Sequence, residues 1–126
     1  MKQHLLGKQL KEVRFEERIT LLSLVLGLNR EYLIEEYNQG LKREDAMLME
    51  YGYKINVGEM IGIIQAHTGV FPMPIIENGM YSINLEWTTK EGVNDKAVSQ
   101  KYDEYCDALY EIVKDLFKKG YIAPIS

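Results

Sequence analysis

The side chains able to do chemistry are few. The chain has one cysteine, Cys106, and two histidines, His4 and His67. Cys106 shares helical spacing with Tyr102, Leu109 and Val113, the setting of a small core residue rather than a nucleophile. His67 precedes Thr68 and Gly69, a natural helix exit where an imidazole favours the negative end of the dipole. A lone thiol excludes an internal disulfide and any zinc site built on two cysteines. Neither G-x-S-x-G nor H-E-x-x-H occurs, and "YGYKINVG" lacks the spacing and the Lys-Ser/Thr pair of a phosphate loop. Enzymatic activity is therefore the less favoured expectation.

The carboxylates offer more. Glu35 and Glu36, followed by Gln39 and then by Asn56 and Glu59, resemble the EExxE…ExxD pattern of all-α nucleotide pyrophosphohydrolases of the MazG type. The resemblance implies Glu35, Glu36 and Glu59 as ligands of a magnesium ion held against a nucleoside triphosphate, since hard cations take clustered oxygen ligands. It is confined to residues 35–59, and Gln39 and Asn56 replace two carboxylates with amides, which removes charge from the site. The plainer reading puts Glu35 and Glu36 on a solvated helix face. Further on, Asp103, Asp107, Glu111 and Asp115 recur every fourth residue and form an acidic stripe on the last helix. That stripe reads as a solvated face or, more sharply, as a docking surface centred on Asp107 and Glu111.

A third constellation is geometric. Gly27-Leu28-Asn29 lies between two apolar-periodic segments, with Ser23 four residues before the glycine, as in a helix-turn-helix. The helix that would read DNA presents Asn29, Arg30, Glu31, Ile34 and Glu35, and carboxylates are repelled by phosphates. The plainer reading is one helix over residues 16–38 that tolerates Gly27. A DNA-binding regulator is thus kept only as a further alternative.

Bulk properties agree. Fifteen basic against nineteen acidic residues leave a net charge of −4, which disfavours the phosphate backbone as the main partner. The N-terminus turns charged too soon for a signal peptide, and the longest apolar-rich run, residues 21–28, is far short of a membrane span. The expected location is the cytoplasm, with no membrane partner. A length of 126 residues suits one compact domain over residues 1–126.

The elements that must position these residues change character near Gly69. Before it the apolar spacing is helical, predicting helices over residues 16–38 and 42–51, and over residues 57–67 either a further helix or, because "MIGIIQAHT" is short, a buried strand. After it Tyr81, Ile83, Leu85 and Trp87 alternate with polar residues, and Asn78-Gly79 supplies the positive-φ pair of a hairpin turn. Pro72 and Pro74 cannot donate to a ladder, so the first arm should be an edge strand. Asn94 reads as a cap, and Val98, Tyr102, Tyr105, Leu109, Ile112 and Leu116 as one stripe of a long helix closed by Gly120. The expected fold is α+β: a helical N-terminal half, a β-hairpin near residues 70–88, and a long C-terminal amphipathic helix.

Nine tyrosines and six methionines exceed what a small core readily hides, and both types suit adaptable protein contacts. The favoured expectation is a small protein-binding or regulatory protein, oligomeric or bound to a protein partner. Its contact surface would combine Phe71, Met73, Ile76, Tyr81, Trp87, Asp107 and Glu111. No cofactor is expected, magnesium entering only with the pyrophosphohydrolase alternative.

Overall fold

Gly27 ends the first helix instead of being carried through it. Its φ of 71° and ψ of 16° lie in the left-handed region, and its N–H donates to the Ser23 carbonyl at 2.9 Å. In the computed structural model, which describes residues 2–38 and 51–125, the expected helix over residues 16–38 is therefore two, α1 (Phe15–Leu26) and α2 (Arg30–Asn38). Asn29 starts the second by accepting the Tyr32 N–H at 2.8 Å. Arg30 then reaches back to Glu16 at 2.8 Å, tying the corner shut. The helix expected over residues 42–51 lies outside the described residues except for Tyr51.

Contacts gather into two compact units, one of Met1–Gln3 with Val57–Ile122 and one of His4–Asn56 with Ala123–Ser126. The second contains α1, α2 and a 3-10 segment, Gly7–Glu12. Its core holds Leu5, Leu10, Ile19, Leu21, Leu22, Leu33 and Ile55, all fully buried. The Leu5 N–H donates to the Ile55 carbonyl at 3.0 Å, which brings two glycines together nearby. A Cβ on Gly52 would fall 2.8 Å from the Gly7 backbone nitrogen, so the close approach requires glycine there.

The other unit carries the fold class expected from sequence, α+β. Helix α3 (Val57–Thr68) decides residues 57–67 for a helix over the buried strand that their length also allowed. The hairpin forms from β1 (Pro74–Glu77) and β2 (Met80–Thr88), antiparallel, with Asn78 at φ 53° and Gly79 at φ 75°. A third strand, β3 (Asn94–Val98), follows a turn at Gly92 and pairs antiparallel with β2, giving the order β1-β2-β3. Asn94 therefore begins a strand and caps no helix. Residues 94–98 satisfy helical spacing by coincidence, while their period of two places Ala97 in the core beside Leu85 and leaves Val98 outward.

The last helix, α4 (Tyr105–Lys118), starts seven residues beyond the end of β3 and is shorter than expected. It packs against β2 and β3 on one side and α3 on the other. Nine of its residues are buried, more than one stripe, because both flanks are covered. Between β3 and α4 the chain rejoins β2: Tyr81 and Tyr102 exchange backbone hydrogen bonds of 2.7 and 2.8 Å. Among the described residues, no helix is long and apolar enough to cross a membrane.

Candidate functional site at the β1 edge

The two residues of the Asn78-Gly79 turn make Glu77 and Met80 the first pair of the hairpin ladder. In an antiparallel pair the residues alternate between facing the partner strand and facing away. Tyr81 and Ile83 turn their backbone groups to the far side, where Tyr102 and Ser99 bond them. Their β1 partners, Ile76 and Pro74, therefore direct their own backbone groups to the edge that is unpaired among the described residues. Proline has no N–H, so Ile76 carries the single outward donor of β1, beside the Pro74 and Ile76 carbonyls. This is why Pro74 is tolerated: its missing donor lies where no ladder bond was due.

Around that edge the side chains are apolar and exposed. Met73 and Ile76 are 66% and 61% accessible, and Phe71 and Ile75 are exposed as well. Ile76 points to the same face as Tyr81, yet α4 covers chiefly β2 and β3, so the overhanging isoleucine stays bare. The arm is nonetheless held at its root. Pro72 is buried, and its carbonyl accepts the Tyr105 hydroxyl at 2.5 Å. The Tyr105 ring lies against Tyr81 at 6.2 Å, and burial pushes its hydroxyl up to about 12. These contacts fix the root of the arm against α4 and β2.

The opposite edge is built differently. Lys96 is the outward residue at the centre of β3, since Leu85–Ala97 and Trp87–Asp95 flank its pairing with Glu86. Its N–H donates to the Asp95 carboxylate at 2.8 Å, and its carbonyl accepts the Lys119 ammonium. Lys119 also lies 3.1 Å from Asp115 and 3.7 Å from Asp95. The Tyr121 hydroxyl completes the cluster by donating to Asp95. That bond, more than the Lys96 N–H, holds the Asp95 carboxyl below its ordinary value, and it raises Tyr121 above the ordinary phenol value. An open depression of about 600 Å³ nearby is lined by Glu86, Asp95 and Lys96 among others, and the mixed signs offer no field favouring one ionic ligand.

The expected contact residues thus divide. Phe71, Met73 and Ile76 are exposed along one arm, with Tyr81 half-buried behind them. Trp87 is only 5% accessible and packs edge-on against Tyr121 at 5.2 Å, a core role. The acidic stripe is not a freely solvated face. Asp107 pairs with Lys2 at 2.7 Å, and Glu111 accepts the Gln100 N–H at 2.6 Å. Ile75, Asp95, Lys96 and Lys119 were missed as edge residues. The one local signal was the turn at Gly92, since residues 94–98 (NDKAV) show no apolar alternation along the sequence.

The other candidates have local explanations. Glu35 is exposed on α2, and Glu36 on the same helix accepts the Tyr51 hydroxyl at 2.9 Å. Glu59 is exposed in the first turn of α3, in the other unit, and Gln39 lies outside the described residues. Among the described residues, no group of three or more His, Cys, Asp or Glu side chains could hold a metal ion. Arg30, the cation of the would-be reading helix, is engaged by Glu16. Cys106 is fully buried, and that burial pushes its thiol up to about 11 against a smaller pull from Lys2. The His67 ring nitrogen bonds the Ile63 carbonyl of its own helix at 2.7 Å. Comparison of the chain with protein families, with curated proteins and with solved structures returned no match.

Proposed function

We propose that this chain is a small protein-binding protein of regulatory type that acts by surface complementarity, and that its contact surface is the β1 edge with the arm leading into it. One observation carries the reading: exposed apolar side chains at Phe71, Met73, Ile75 and Ile76 flank an outward Ile76 N–H and two outward carbonyls. An edge of this kind recognises an extended segment by main-chain hydrogen bonds, with the alternating side chains adding apolar contact. Exposed apolar side chains gathered along one short arm of a small protein are a recurrent mark of an interaction site.

The reading is tested with immobilised wild type and a Met73→Lys/Ile76→Lys variant, both checked for an unchanged thermal midpoint. The wild type is expected to retain a protein ligand, itself included, and the variant to lose it. Equal retention by both, or none by the wild type, overturns the β1 edge as the contact surface.

A further inference from the structure

We infer that the occupant of the open β1 edge is the β1 strand of a second copy of this chain, paired antiparallel across a two-fold axis at Ile75. The inference rests on the β1 edge being the contact surface and adds what sits there.

Charge complementarity favours a copy over a charged peptide. The one formal charge on β1 is Glu77, and Lys101 of the same chain already lies 3.2 Å from it. The arm is otherwise neutral, so a basic or acidic segment gains little from it, whereas a copy brings an equally neutral apolar arm. With the axis at Ile75, each Ile76 N–H meets the Pro74 carbonyl of the other copy, two backbone hydrogen bonds in all, and each Ile76 carbonyl stands opposite a proline that has no N–H to give it. Side chains match in the same register. Ile75 faces Ile75 on one side of the sheet and Ile76 faces Pro74 on the other, apolar against apolar at three successive positions. In this register Glu77 meets Met73 only beyond the ends of the paired apolar segment, whereas a shift that pairs Ile76 with itself would set Glu77 against Ile75 within it.

The guarded edge explains why such pairing stops at two. A copy could extend the sheet further only by adding to β3, where the Lys96 N–H and carbonyl are bonded by Asp95 and Lys119. Pairing β1 with β1 is isologous and closes on itself, whereas β1 on β3 would propagate.

The test combines sedimentation of the wild type with oxidative cross-linking of Ile75→Cys. The axis makes residue 75 a non-hydrogen-bonded pair with Cα atoms about 4.5 Å apart, within disulfide range. Cys106 is fully buried and does not compete. The wild type is expected to sediment as a dimer, and I75C to cross-link. Val98→Cys, on the exposed face of β3, is expected not to. Ile76→Lys, at a position 61% exposed and so harmless to the fold, should weaken dimerisation about thirtyfold or more. A monomeric wild type overturns the inference while leaving the β1 edge free for another protein, which the M73K/I76K capture experiment decides separately. A dimer that survives I76K without cross-linking through I75C, or one in which V98C cross-links as readily, overturns it by placing the contact elsewhere.

Discussion

Along β3 the outward Lys96 has its N–H on the Asp95 carboxylate and its carbonyl on the Lys119 ammonium. Along β1 the outward Ile76 presents the same two backbone groups among exposed apolar side chains. The two edges belong to one sheet of three strands, so the difference does not come from the architecture. It comes from which strand the covering helix and its C-terminal tail can reach. Lys119 follows the end of α4, Tyr121 comes two residues later, and both land on β3. Charged groups over an edge are the usual protection against unwanted strand addition. Among the described residues, the outward Ile76 of β1 has no such charged group bonded to it.

The largest effect should separate the core side of the sheet from the open arm. Trp87→Ala removes a buried indole beside Asp95 and Tyr121 and should cost about 3–5 kcal/mol in denaturant unfolding. Ile76→Ala, assayed at high dilution, should stay within about 0.5 kcal/mol. If the two changes cost the same, the arm belongs to the core and the contrast between edges collapses.

Next in size is the removal of the guard. Asp95→Ala with Lys119→Ala frees both backbone groups of Lys96, and light scattering should show assemblies that grow with concentration beyond the wild-type species. Unchanged scattering would mean that β3 is closed by something other than these charges.

A milder perturbation is pH. Asp95 has a folded pKa below its ordinary 3.8, so its contribution to stability is present above that value and is lost as pH falls through the lowered one. Tyr121 has a folded pKa above its ordinary 10.0, so its contribution is present below 10.0 and is lost as pH rises through the raised one. The guard is thus expected to hold across the neutral range and to loosen at both extremes. The outward residues of β1, Pro74 and Ile76, carry no titrating group. Scattering against pH should therefore rise only at the extremes, whereas a rise near neutrality would assign the guard to other groups.

The smallest signal is local. Amide exchange at Lys96 should be slow at every protein concentration, because its partners are in the same chain. Exchange at Ile76 should slow as concentration rises. Equal, concentration-independent protection at both amides would remove the distinction between a guarded and an open edge.

Much of this was legible in the chain. Asn78-Gly79 specified the hairpin because positive φ at both positions suits few other residue pairs. Pro72 and Pro74 marked the edge because they lack a donor. The third strand was hidden, since Val98 and Tyr102 satisfy helical spacing with Tyr105 and Leu109 as well as they satisfy alternation. Pairing with β2 decided between the two periods, and no local signal carries that information. The acidic stripe misled for a related reason. A carboxylate every fourth residue looks solvated until Lys2 and the Gln100 N–H arrive from distant parts of the chain. Trp87 looked like a contact residue because an aromatic on an alternating strand fits the core and an interface equally.

By itself the sequence determined what local stereochemistry and composition control: the α+β class, the hairpin turn, the proline-marked edge, and the scarcity of nucleophiles and thiols. Tertiary structure alone decided which of the two edges stays open. That choice depends on where the residues after α4 come to rest, and a hydrogen bond from Lys119 to Lys96 or from Tyr121 to Asp95 leaves no trace in the neighbourhood of either partner along the chain.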